Sequence, residues 1–223
     1  MGELNLKIIQ TGVNKKLEKQ NQSQQQLQSL TSNYIRIENT PYDKEPPINN
    51  IFEGNKHWYV GKRKELNTWG LTSRHYGCWL AHKQALQLGF CENEHFLVCE
   101  GDCKILDTNL FKIRLQEAIE IHNTEDYPII NFAPPSIGLK TNFLQQVNKH
   151  FYEVDQIAGA YCYLVNKNSK NIFDWMFNNV GWREYDFWLL YGFNHINKKI
   201  LCQKENLAWV FDGPSSIDIG NYE

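Results

Sequence analysis

Apolar residues along this chain come in short bursts separated by longer mixed stretches, the pattern of strands alternating with helices. Leu4-Asn5-Leu6-Lys7-Ile8-Ile9-Gln10 predicts an opening strand closed by Thr11-Gly12, and Tyr34-Ile35-Arg36-Ile37 alternates like a second. Between them lies a polar tract rich in Gln and Lys, from Lys15 to Gln28. Its composition predicts an exposed helix or a mobile loop. Pro41, Pro46 and Pro47 mark 39–50 as loop. Tyr76 to Leu88 predicts a helix, with Cys78, His82, Ala85 and Gly89 on one stripe and Gly89 as its stop. Phe96 to Cys99, Pro128 to Phe132, Ala160 to Val165 and Ala208 to Phe211 read as strands. Leu110 to His122, Ser169 to Phe177 and Glu184 to Tyr191 read as helices. The alternation predicts an α/β fold with a mostly parallel sheet flanked by helices. No internal repeat or strong linker divides the chain, so 1–223 reads as one domain, with 15–50 rich in loop.

The strand Phe96-Leu97-Val98-Cys99 runs straight into Glu100-Gly101-Asp102. Carboxylates at alternate positions can face the same way at a strand end. Two hard oxygen donors there suit Mg²⁺ or Mn²⁺, which keep open positions for phosphate oxygens. Acid-x-acid alone is a weak signal, since any acidic turn produces it.

Composition narrows the classes. With 223 residues and 42% hydrophobic content, the chain can bury one sizeable α/β core or two small ones. Lys and Arg number 23 against 25 Asp and Glu, so no basic excess points to nucleic acid. Aromatics reach 13%, with seven Trp, enough to build cores and also to floor sugar sites. Six Cys at 78, 91, 99, 103, 162 and 202 lack the dense spacing of a secreted disulfide scaffold. No signal peptide or transmembrane run is visible, so the expected setting is cytoplasmic, with attachment at a membrane surface left open.

Leu71-Thr72-Ser73-Arg74-His75-Tyr76-Gly77-Cys78-Trp79-Leu80-Ala81-His82 resembles a block of glycosyltransferase family 25, the family of lipooligosaccharide and procollagen galactosyltransferases. In that family the block is followed by a helix and by an apolar strand ending in three acids, as Phe96 to Asp102 follows here. Gly159 to Asn166 is similar to a later family strand, Tyr185-Asp186 stands where the family has an aspartate pair, and Ser216-Ile217-Asp218-Ile219 resembles its closing motif. The resemblance spans about 71–220. Ala81 replaces a serine, Gly101 replaces the central acid, and Arg74 and His75 stand where glycine and glutamate are usual.

The resemblance implies a GT-A type enzyme that transfers a hexose from a nucleotide diphosphate sugar, UDP-sugar favoured, to a glycan acceptor with inversion. By the same resemblance Asp102 and Glu100 hold Mn²⁺ or Mg²⁺, Gly101 allows close approach of the donor, and Asp186 is the candidate base. Asp155 and Glu184 compete for that last role. Thr11, at the end of the first strand, and Arg74, before the helix, are further candidates for the nucleotide. His82 reads as a core histidine or a support for the donor loop, and Trp182 and Trp188 as core or as an acceptor wall. The acceptor expected is an oligosaccharide, free or linked to lipid or protein.

Two alternatives remain at this point. One is a GT-A-like protein that binds sugar or nucleotide without turnover, which Gly101 keeps open. The other is a zinc module: Cys91, His95, Cys99 and Cys103 recur every four residues, and Cys78 and His82 share that step. That ladder needs a helix, whereas Phe96-Leu97-Val98 favours a strand. A nucleotidyltransferase would want a glycine-rich phosphate loop, and Thr11-Gly12-Val13-Asn14-Lys15-Lys16 is too poor in glycine.

Overall fold

The computed structural model describes residues 4–13, 18–38, 50–52, 59–61, 71–92, 94–133, 143–154, 157 and 159–210. Strand β1 (Lys7–Val13) leads through helix α1 (Glu18–Gln28) to β2 (Tyr34–Glu38). Two short strands, β3 (Tyr59–Gly61) and β4 (Leu71–Thr72), precede helix α2 (Ser73–Gly89). Then come β5 (Phe96–Cys99), β6 (Cys103–Ile105), α3 (Thr108–Thr124) and β7 (Ile129–Asn131). The hairpin β8 (Phe143–Gln146) and β9 (Phe151–Val154) is followed by β10 (Cys162–Val165), α4 (Lys170–Asn179), α5 (Tyr185–His195), β11 (Ile200–Gln203) and β12 (Ala208–Val210).

Eight strands form one sheet in the order β2-β1-β5-β10-β7-β11-β9-β8. β1 runs parallel to both β2 and β5, and β7 is parallel to β11. β10 runs antiparallel between β5 and β7, and β9 runs against β11 and β8. The sheet is therefore mixed, with two reversed strands in a largely common direction. This agrees with the α/β reading. A separate pair, β12 with β6, continues from the turn after β5.

Alternation along each central strand divides the core into two layers. Ile9, Val98, Ile129 and Tyr163 pack with Trp79 and Leu86 of α2, Phe173 and Met176 of α4, and Trp188 and Phe193 of α5. Ile8, Leu97, Ile130 and Leu164 pack on the other face with Leu27 of α1 and Phe111 and Leu115 of α3. The strands are apolar at consecutive positions because helices cover both faces. From β1 the chain crosses to β2 on one side and, through α2, to β5 on the other. Crossovers of one hand in opposite directions put α1 and α2 on opposite faces.

The Gln-rich tract is helical as expected, with exposed residues such as Asn21, Gln25 and Gln28, but one face of it is buried. Gln20, Ser23 and Leu27 of α1 are buried at helical spacing, facing the sheet. Gln26 clamps the backbone of Ile105 in both directions, donating through Nε2 at 2.7 Å and accepting at Oε1 at 2.8 Å. Amide side chains can cover a polar strand edge in a way apolar ones cannot. No helix among the described residues is long and apolar enough to cross a membrane.

Candidate active site

The carboxyl ends of β1 and β5 meet where the chain's crossovers reverse direction. Ligands of open α/β sheets sit beyond the strand ends at such a point. Gln10 pairs with Cys99 in the parallel ladder, which sets Thr11 level with Glu100. Thr11 itself is buried. Its neighbour Gln10, which the sequence reading passed over, does the anchoring. The buried Gln10 amide donates to the Gly101 carbonyl at 3.0 Å and to Ser23 Oγ at 2.9 Å, while its oxygen accepts from the Tyr34 hydroxyl. A glutamine inside an apolar strand was the available signal, since burial requires such a group to be satisfied.

The acidic turn is held from three sides. Besides Gln10, the Cys103 N–H donates to the Glu100 carbonyl at 3.0 Å, and the Glu100 N–H donates to the Tyr161 carbonyl at 2.8 Å. Gly101 is buried, whereas Glu100 and Asp102 remain partly exposed. Alternation turns Glu100 to the α2 face, below His82. His82 Nε2 lies 3.4 Å from Glu100 Oε1, and His82 Nδ1 lies 2.9 Å from the Tyr163 hydroxyl. That hydroxyl lies 2.8 Å from the hydroxyl of Tyr185. The Tyr185 ring stacks on the imidazole at 3.8 Å between centroids.

Burial drives the His82 pKa down to about 3, so its ring is neutral and carries one proton. A carboxylate only accepts, so that proton sits on Nε2, facing Glu100. Nδ1 then accepts from the Tyr163 hydroxyl, whose oxygen accepts from Tyr185. The chain Tyr185–Tyr163–His82–Glu100 thus has one direction of donation and ends at the acidic turn. His82 is buried and hydrogen-bonded, as the core reading expects.

Asp186, in the first turn of α5, approaches from the other side. Its Oδ2 accepts from the Gly159 N–H at 2.6 Å and its Oδ1 from the Ala160 N–H at 3.1 Å. Burial first, and then the charge of Glu100, raise its pKa to about 6, against the lowering by those two N–H donors. The three carboxylates share one locality. Burial foremost, and then Glu100, Asp186 and Asp102 together, raise the pKa values of both the Cys78 thiol and the Tyr161 phenol.

The loop that meets Asp186 depends on glycine. Gly159 has φ +98°, and an added Cβ would lie 2.3 Å from the Tyr161 ring. Gly159→Ala is expected to cost about 2 kcal/mol through backbone strain alone. A fall in Tm of roughly 5 °C by calorimetry checks it. An unchanged Tm would mean that the loop relaxes freely.

The other candidates divide as follows. The side chain of Arg74 and residues Asp155 and Ser216 to Ile219 lie outside the described set. Glu184 precedes α5 with an oxygen 4.0 Å from Arg183 Nε. Trp182 and Trp188 are core residues at 1% and 0% exposure, so neither forms an acceptor wall. Phe187 stands out at 46% exposure beside the Arg183 guanidinium. The four-residue Cys and His ladder converges only in part: among the described residues Cys99 and Cys103 meet each other and Cys162, and Cys78 and His82 meet Glu100, while Cys91 and His95 join neither group. Cys91 is exposed and donates to the Gln87 carbonyl, and His95 pairs with Asn123. The step from Cys99 to Cys103 closes through the acidic turn between β5 and β6 and not along a helix.

Compared with protein-family models and with curated proteins, the chain has no match in either.

Proposed function

We propose that this chain is a metal-dependent glycosyltransferase of GT-A type, transferring a hexose from a UDP-sugar to a glycan acceptor with inversion. One observation carries the reading. Glu100 and Asp102 follow the end of β5, where the crossovers reverse, and Asp186 is bonded to Gly159 and Ala160 just before β10, the antiparallel neighbour of β5. The donor set fits Mg²⁺ or Mn²⁺, since Glu100 and Asp102 offer hard, partly exposed oxygens at a strand end. When bound, such a cation supplies positive charge against a departing diphosphate.

The protein's own residues do the rest. Gln10 and the β10 backbone fix the turn so that both acids keep one geometry. The His82 chain orients Glu100 while adding no charge of its own. Asp186, ionised above pH 6 or so, takes the proton from the acceptor hydroxyl as it attacks the sugar. Phe187, the next residue of α5, presents an exposed apolar ring against Arg183.

Thermal shift with nucleotide diphosphates and their sugars, with and without Mn²⁺, tests the reading. One nucleotide at a hundredfold excess over its Kd is expected to stabilise by about 2.7 kcal/mol. That raises Tm by roughly 5–10 °C, and only with the metal present. If no nucleotide shifts Tm, or the shift is equal without metal, the proposal fails.

A further inference from the structure

Three cysteines far apart in the chain converge on the α1 and α3 side of the sheet, opposite the His82 chain. Cys99 ends β5, Cys103 opens β6, and Cys162 opens β10. All three are at 0% exposure, and their sulfurs lie within 4.8 Å of one another. Cys99 and Cys162 are cross-strand partners. The Glu100 N–H donates to the Tyr161 carbonyl, so Cys99 and Cys162 form the adjacent, non-hydrogen-bonded pair, whose side chains approach most closely. Their sulfurs are 3.6 Å apart. A thiophilic centre about 2.3 Å from each of three sulfurs holds them up to roughly 4 Å apart. The observed spacing is close to that already.

We propose that Cys99, Cys103 and Cys162 form a three-sulfur site for a trivalent, thiophilic metalloid of the arsenite class, clamped around the acidic turn. The donor set selects the ion. Among the described residues this cluster holds three sulfurs and no imidazole or carboxylate, so it lacks the fourth ligand of a structural zinc site. Charge selects further. The surrounding layer is apolar, built from Leu97, Ile105 and Leu164, with Glu100 and Asp102 next in the chain. With three thiolates, a monovalent ion leaves two net negative charges, a divalent ion one, and a trivalent centre none. Uncompensated charge is costly in such a layer. Neutral trihydroxyarsine reacts without redox chemistry. Three As–O bonds break and three As–S bonds form, each thiol proton leaves with a hydroxide as water, and arsenic stays trivalent.

Cys99 directly precedes Glu100 and Cys103 directly follows Asp102, so the bound centre ties both ends of the acidic turn to β10. The test uses the reduced full chain and arsenite alone. One equivalent is expected to bind, native mass spectrometry to show loss of three protons per arsenic, and X-ray absorption to show three sulfurs and no oxygen around it. Cys91→Ser and Cys78→Ser are expected to keep uptake, and Cys162→Ser to lose it. Zinc offered under the same conditions is expected to stay off these sulfurs. Absence of stoichiometric uptake, oxygen in the arsenic shell, uptake that follows Cys78 or Cys91, or zinc held by the three sulfurs overturns the proposal. Should Cys162→Ser not fold, the absorption shell of the unsubstituted protein decides. These readouts are independent of glycosyl transfer.

Discussion

Asp102→Ala is expected to abolish sugar transfer and leave the fold intact. Asp102 is partly exposed and sits in a turn whose geometry is fixed by other groups: the Gln10 amide on Gly101, the Cys103 N–H on Glu100, and the Glu100 N–H on Tyr161. Those bonds stay when its carboxylate is removed, and the turn is expected to keep its fold. The cost in rate is different in kind. On the proposed function, loss of one of two carboxylates that would hold the cation removes charge stabilisation that matters most as the diphosphate departs, about 10³-fold or more in kcat/KM. Two measurements on the same sample check this. Transfer is assayed at saturating Mn²⁺, and Tm is followed with and without nucleotide. The expected pattern is an unchanged Tm in the free protein, loss of the metal-dependent nucleotide shift, and loss of turnover. Normal turnover at saturating Mn²⁺ would move the metal away from this turn. Glu100→Gln makes a useful contrast, because Glu100 is also the end of the His82 chain. It reports on both functions at once, whereas Asp102 reports on the cation.

Much of the frame was legible because its elements are strongly periodic. β5 and β10 are unbroken apolar runs, buried at each of their four residues, and α3 carries Phe111, Leu115 and Ala118 at helical spacing. The strands that escaped notice are short and lack a period. Phe151-Tyr152-Glu153-Val154 is buried only at its ends, and Ile200 to Gln203 follows a helix after a four-residue connection. Neither gives a window long enough to score. Composition gave the helix at α1 but not its inner face, where Gln20, Ser23 and Gln26 turn towards the protein. Polarity there serves to satisfy β6 and Gln10, which a sequence reading cannot see without knowing that β6 lies alongside.

The site follows the same division. Glu100 and Asp102 were legible in place because they follow a recognisable strand. Gln10, Tyr163 and Tyr185 were not, because their roles exist only through partners tens of residues away. The zinc ladder shows the reverse error. Equal spacing does not bring Cys91 or His95 to Cys99 and Cys103, and the sheet instead adds Cys162, 63 positions on from Cys99.

Asp186→Asn carries the second large effect, and its two readouts separate a base from a clamp. Each oxygen of the carboxylate already accepts one backbone N–H, from Gly159 and Ala160. Asparagine keeps one acceptor and turns an NH₂ group towards the second donor, which costs about 1–3 kcal/mol for the N–H left without a partner. Against this, the native carboxyl has its pKa raised to about 6, chiefly by burial and by Glu100. The sign follows from linkage. A carboxyl with a raised folded pKa contributes stability while protonated in both states, below its ordinary value of 3.8, and loses it as pH rises through about 6. At neutral pH the ionised Asp186 is therefore a destabilising charge, and the neutral amide removes that penalty while losing a hydrogen bond. The two effects oppose, and the expected net change in Tm at pH 7 is a few degrees at most. The rate is not so protected. Loss of a positioned base costs about 10²–10⁴-fold. On the proposed function, kcat/KM of the unsubstituted protein is expected to rise tenfold per pH unit along an acid limb and then level off at or below about 6, because the cation on Glu100 offsets the charge that raises Asp186. In the Asn variant that acid limb disappears from the residual activity. A clamp would behave otherwise: rate and Tm would fall together, and the pH profile of the remaining activity would keep its shape. Retention of the acid limb in Asp186→Asn would assign the proton transfer to another group and leave Asp186 as the anchor of the Gly159 loop.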